Sequence, residues 1–144
     1  MTSVIAPPIH TATDPVHTAD DLRLRWLALM SPLGFGKRTL WMTFLGPDRC
    51  MQKVLSDLPA TSERDRHCVT EVIAELRHEL GRGFDAGLTV AFLLSRPGAG
   101  PVSERDRQWA QLVIGAAGTA DVPIEPFFRA NDVSLVEVRT APSS

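Results

Sequence analysis

The stretch that most constrains the fold is LTVAFLLSRPGAGPVSERDRQWAQLVIGAA, residues 88 to 117. Leu88 to Leu94 is an apolar, β-rich run, the pattern of a strand. A Pro/Gly-rich turn follows, and Ser103 with Asp106 three positions on opens a helix as a capping box does. Trp109, Leu112, Val113 and Ala116 supply that helix's inner face, and Gly118 is its expected stop. An apolar strand feeding a turn and then a helix is the unit of an α/β sheet. The crevice at the strand's carboxyl end is where a ligand or chemistry is expected.

The rest of the 144-residue chain is ordered around that unit. Residues 1–17 hold Pro7, Pro8 and Pro15 without periodicity and read as a flexible leader. Thr18 with Asp21 caps a first helix, on which Leu22, Trp26, Leu29 and Met30 share a face, and Pro32 with Gly34-Phe35-Gly36 ends it. Thr39 to Leu45 reads as a strand with both faces at least partly covered, Gly46-Pro47-Asp48-Arg49 as a turn, and Met51 to Asp57 as the returning strand of a hairpin stopped by Pro59. Ser62 with Asp65 opens a long helix striped by Val69, Val72, Ile73, Leu76 and Leu80, with Gly81 or Gly83 as its end. Val122 to Ala130 is predicted as a strand whose Pro123 and Pro126 place it at an edge. Asn131-Asp132 is a turn, Val133 to Val138 a last strand, and residues 139–144 a flexible tail. The prediction is one α/β domain over 18–138, a mixed β-sheet sandwiched by helices. A strand–helix–strand crossover between parallel strands is expected to be right-handed.

Composition narrows the partners. No apolar run reaches membrane-spanning length, and the N-terminus lacks the basic start and apolar core of a secretory signal. A net charge of −2 argues against a general nucleic-acid binder, which needs a positive surface to displace counterions. Thirteen arginines against two lysines, Lys37 and Lys53, are read as a mark of genome composition. Cys50 and Cys68 make neither a disulfide framework nor a CxxC pair. A cytoplasmic location is expected.

From Thr39 onward the layout resembles the RadC-like branch of the JAB/MPN (JAMM) metalloprotease superfamily, whose domain is cytidine-deaminase-like in layout. The family pattern is a hydrophobic strand ending in His-x-His-Pro, a Gly/Pro-rich loop, Ser-x-x-Asp opening a helix, and a closing strand pair with a Ser-Leu segment. This chain has Leu94-Ser95-Arg96-Pro97, Gly98 to Val102, Ser103-Glu104-Arg105-Asp106, and Asn131-Asp132-Val133-Ser134-Leu135. The resemblance spans about residues 39 to 138 and is sharp over about a dozen of them, with a loop one residue shorter than the family's.

The resemblance implies a zinc site whose two histidines fall on Leu94 and Arg96 and whose aspartate falls on Asp106. Leucine cannot ligate a metal, and arginine is a permanent cation that repels one. The family's glutamate belongs on the early strands, where this chain offers Asp57. A catalytic zinc needs three protein ligands and an open position, so one remaining ligand cannot supply that chemistry. The expectation is a pseudoenzyme with no metal and no cofactor. Its vestigial cleft is built from Leu94, Ser95, Arg96, Ser103 and Asp106. Asp106 has two roles open to it: the N3 partner of the Ser103 cap, which takes precedence, or a fork-to-carboxylate pair with Arg96 that stabilises the loop where the metal stood.

Other candidates have plainer readings. The turn at 96–101 could cradle an anion at a helix N-terminus, but it lacks a nucleotide-loop pattern and already carries Glu104 and Asp106. His67 and His78 lie about 16 Å apart along a helix at 1.5 Å per residue and cannot share an ion. His10 and His17 fall in the leader, and a buried thiol is the default for cysteine. Ser95 or Ser103 as a nucleophile lacks a nearby histidine and a GxSxG elbow. Trp26, Trp41 and Trp109 are assigned to the core, with a partner-facing position open to Trp26 on the first helix. The expected function is a non-catalytic protein-binding or regulatory module, as metal-free relatives in the superfamily commonly serve as scaffolds. Its partner is expected to be a protein or a second copy, and the first helix is expected to cover the old cleft or a dimer contact. The alternatives are a hydrolase rebuilt around Asp106, Arg96 and Ser95, or a DNA-repair-associated protein, which would require a basic face.

Overall fold

The strand Thr89–Ser95 is the centre of the molecule, and six of its seven residues are buried. Its side chains alternate. Val90, Phe92 and Leu94 enter one core and Ala91 and Leu93 the other, as a period of two requires. In the computed structural model, which describes residues 7–139, a 3-10 helix (Ile9–Thr13) precedes α1 (Ala19–Met30), β1 (Thr39–Leu45), β2 (Ser56–Pro59), α2 (Glu63–Asp85) and β3 (Thr89–Ser95). The chain then forms α3 (Glu104–Ala120), β4 (Phe128–Ala130) and β5 (Leu135–Glu137). The five strands form one mixed sheet in the order β2-β1-β3-β4-β5. Only β3 and β4, joined through α3, run parallel. Among the described residues no helix is long and apolar enough to cross a membrane.

Helices cover both faces. Val69 and Ile73 of α2 and Trp109, Ala110 and Val113 of α3 pack on Leu40, Phe92 and Leu94. On the opposite face Leu22, Trp26 and Leu27 of α1 pack on Leu45, Ala91, Leu93 and Phe128. Trp26 and Trp109 are core residues, whereas Trp41 is half-buried. Thus α1 lies flat on a sheet face and does not cover the crevice at the end of β3. The loop after α1 borders that crevice instead. Part of the stretch read as a leader is also packed here. Val16 is buried, and its carbonyl accepts from Arg49 Nε at 3.0 Å while its N–H donates to the Arg49 carbonyl. Residues 1–6 and 140–144 lie outside the described residues.

All three helices begin where the sequence places them, each with a reciprocal capping box: Thr18 with Asp21, Ser62 with Asp65, and Ser103 with Asp106. Their ends differ from expectation. The second helix runs past Gly81 and Gly83 to Asp85, with a local kink at Leu80, and turns at Gly87 with φ +111°. A Cβ on Gly83 would stand 3.2 Å from Leu88 Cδ2, so that glycine permits close packing instead of stopping the helix. The third helix passes Gly118 and stops at Asp121, whose φ of 57° is left-handed.

Two strands also move. The return of the hairpin is not Met51 to Asp57: Met51 makes only an isolated bridge to Leu45, and β2 starts at Ser56 and contains Pro59. The buried Thr43 hydroxyl donates to the Gln52 and Val54 carbonyls, which holds residues 52–54 as a loop over β1. The predicted edge strand at 122–130 is shorter and internal, with β4 lying between β3 and β5. Pro123 and Pro126 sit in its lead-in, where Ile124 bridges to Val90. There the ladder takes the Pro123 carbonyl and the Glu125 N–H, so neither proline's missing donor is needed.

Candidate functional site

Sheet register gathers an arginine cluster at one end of the molecule. Leu40 pairs with Leu94, and Leu94 with Arg129, so these three share the face that α3 covers. Two residues before Leu40 is Arg38, and two after Leu94 is Arg96, so the strand period directs both toward the same face. Asp106, in the first turn of α3, meets them there with no solvent exposure.

Arg96 Nε donates to Asp106 Oδ1 at 2.8 Å and to Oδ2 at 3.0 Å. Arg129 Nε lies 3.5 Å from Oδ2, and an Arg38 terminal nitrogen lies 3.9 Å from Oδ1. The Ser103 N–H donates to Oδ2 at 2.9 Å, and the Asp106 N–H returns a bond to Ser103 Oγ. Both roles open to Asp106 are therefore filled together: it closes the helix cap and pairs with Arg96. Burial pushes its carboxyl up, but the bonds from Arg96 and Ser103 outweigh burial and hold it below the usual carboxylate range.

Three guanidiniums thus face one carboxylate. Those of Arg96 and Arg129 also find carbonyls or hydroxyls. Arg96 donates to Pro97 and Pro101, and Arg129 donates to Gly100 and to Ser134 Oγ. The Nε atoms of Arg38 and Arg129 are both buried without a hydrogen-bond partner, but Arg129 is bonded through its terminal nitrogens and Arg38 is not. Burial, followed by repulsion from Arg105, lowers the hold of Arg38 on its proton, and Asp106 only partly opposes this. Arg129 is lowered by burial as well, with Asp106 opposing and Arg96 adding to it. Positive charge is in excess here.

The closing turn holds the loops around the cluster. Asn131 is fully buried. Its Oδ1 accepts from the Val133 and Ser134 N–H groups, and its Nδ2 donates to the Gly100 carbonyl. Asp132 accepts from the Phe35 N–H through Oδ1 at 3.0 Å and from the Gly98 N–H through Oδ2 at 2.7 Å. Gly98 and Gly100 both take φ of +95°, which suits glycine at the two sharp corners of this loop.

Of the five residues assigned to a vestigial cleft, Arg96, Ser103 and Asp106 come together. Leu94 is core, packed beneath them. Ser95 points to the other face, where its buried Oγ accepts from Trp41 Nε1 at 2.8 Å. It does not share the crevice with Asp106. Asp57 is exposed on the edge strand β2 and lies apart from the cluster. These residues do not fit a zinc ion, because an apolar side chain and a cation hold the two histidine positions and the aspartate is bonded to the cation. Glu75, His78 and Glu79 bring potential ligand atoms within 4.8 Å on the exposed face of α2, as spacings of three and four along a helix do. His67 lies beside Glu71 at 3.0 Å. Neither cysteine is buried, since Cys68 is exposed and Cys50 half-exposed.

Arg38 and Arg129 are the site residues that the sequence reading missed. Arg129 carried a signal, a cation between Phe128 and Ala130 in an apolar strand, which demands a buried partner. Arg38 carried none, because its approach depends on strand order. No protein-family model, curated protein or solved structure matches the chain. The class defined by fold and site is a small α/β protein with a five-stranded mixed sheet, three helices and a buried arginine–aspartate cluster at the end of the central strand.

Proposed function

We propose that this chain is a non-catalytic module of the RadC-like JAB/MPN type, binding a protein partner or a second copy of itself. The observation that carries this reading is the Arg96–Asp106 pair, 2.8 Å apart and buried. A guanidinium stands where the resemblance places a metal ligand, and it occupies the one carboxylate that could have held zinc. A hydrolase rebuilt around Asp106 would need a carboxylate free to accept a proton, whereas both Asp106 oxygens accept hydrogen bonds from cationic or backbone donors. The binding half of the reading is supported by the sheet edges. Both β2 and β5 are unpaired on their outer sides among the described residues, with Val54 and Leu55 exposed beside one and Val136 exposed on the other.

Two measurements test it. Elemental analysis after purification in zinc-supplemented medium should find no stoichiometric zinc. Light scattering over a concentration series, with affinity capture from native extract, should find self-association or a protein partner. Stoichiometric zinc that is lost on Asp106→Asn would sink the non-catalytic half. A strict monomer that captures nothing would sink the binding half.

A further inference from the structure

The antiparallel register Thr39–Ser95 and Thr39–Pro59 sets the start of β1, the end of β3 and the end of β2 side by side. These segments and the first turn of α3 enclose an open concavity of about 410 Å³, lined by Lys37, Arg38, Thr61, Arg96, Pro97 and Arg105. Four of those residues are cations and none is an acid. Asp106 beneath them is already engaged. Arg105 donates to the Thr61 carbonyl at 2.8 Å, which fixes one wall. Lys37 is exposed, and its ammonium makes no ion pair among the described residues. Arg38 keeps 16% of its side chain exposed, and its guanidinium donates no hydrogen bond among the described residues.

Cations gathered around one carboxylate that is already engaged carry uncompensated positive charge, and an arriving oxyanion would relieve it. We propose that this concavity binds a small phosphorylated molecule, its phosphomonoester dianion held by Arg38, Arg105 and Lys37. Planar guanidinium forks match phosphate oxygens two at a time, and the ammonium adds a point charge. The volume lies within the usual range of small-molecule sites and leaves space for an organic body beyond the phosphate. A nucleic-acid backbone would call for a basic stripe, whereas these cations meet in one concavity on a chain of net charge −2. The inference is independent of the protein-binding reading, and either can fail alone.

Isothermal titration at fixed ionic strength tests it, with glycerol 3-phosphate, inorganic phosphate, sodium chloride and a single-stranded oligonucleotide as separate titrants. Glycerol 3-phosphate should bind with measurable heat, chloride should not, and Arg38→Gln or Arg105→Gln should each weaken binding about tenfold through loss of a charged hydrogen-bond donor. Lys37 is exposed, so Lys37→Gln gives a variant whose folding is not in question, and it too should weaken binding. Arg139→Gln, at an exposed residue that follows β5 and does not line the concavity, should leave binding unchanged. Absence of heat above chloride, equal affinity in Lys37→Gln and the unaltered protein, or an oligonucleotide that displaces the phosphomonoester would each overturn the proposal. Tighter binding of inorganic phosphate than of the ester would overturn the organic part of it.

Discussion

Arg96 and Asp106 stand ten residues apart in the chain, yet one Nε–H reaches both carboxylate oxygens, at 2.8 and 3.0 Å. The pair spans the Pro/Gly loop and joins the end of β3 to the start of α3. It is the only close hydrogen-bonded ion pair of the cluster, so its removal should be felt by all three arginines.

Replacing Asp106 with Asn leaves three guanidiniums crowded without a counter-charge. Breaking a buried pair on one side costs about 3 to 5 kcal/mol. Urea denaturation of Asp106→Asn should show a loss of that size. A loss below about 1 kcal/mol, the range of surface pairs, would mean that the carboxylate does not anchor the cluster.

Acid should expose the same carboxylate. The Asp106 pKa is lowered in the folded chain, so its contribution is complete above about pH 4 and is lost as the pH falls through the folded value. Asp21, Asp65 and Glu125 are held down in the same direction by bonds from His17, Thr61 and Arg49 respectively. The unaltered protein should therefore lose stability in acid through several groups. The gap between its urea midpoint and that of Asp106→Asn should narrow from pH 7 to pH 3, and parallel curves would contradict the assignment.

Arg49 ties three segments together. It donates to Glu125 Oε1 at 2.8 Å, to Glu125 Oε2 at 2.9 Å and to the Val16 carbonyl at 3.0 Å. Replacing Arg49 with Ala should cost about 1 to 2 kcal/mol, since the arginine is partly solvated. It should also release residues 7–17, so limited proteolysis should cut there faster than in the unaltered chain. Unchanged cleavage would show that the apolar seat of Val16 suffices.

Ser95 offers a cleaner contrast between catalysis and packing. Ser95→Ala removes the acceptor of the Trp41 N–H and should cost about 1 to 2 kcal/mol, with a change in tryptophan fluorescence. Phosphomonoester binding should not change, because Ser95 faces away from the concavity. A stable variant that had lost binding would place Ser95 on the wrong face of the sheet.

Local chemistry announced the helix starts. Thr18, Ser62 and Ser103 each precede an acid by three residues, and a capping box needs nothing beyond its own four positions. The apolar run at 88–94 likewise declared a strand, which the structure buries on both faces. Helix ends were less legible because glycine has two uses. Gly83 lies where Leu88 packs close, while the left-handed turns fell to Gly87 and Asp121. The Arg96–Asp106 pair could be conceived from a short loop and a helix start. Arg38 and Arg129 could not, because they reach Asp106 only once β1 and β4 take their places on either side of β3. The surplus of arginine over lysine, read as a compositional habit, supplies three guanidiniums to one buried cluster.

The two oxygens of Asp132 grip different loops, one leading into β1 and the other leaving β3. The opposite banks of the concavity are consequently moored to a single side chain. Any molecule drawing Arg38 inward would tug, through Phe35 and Gly98, on the turn that carries β5 to the rim of the sheet.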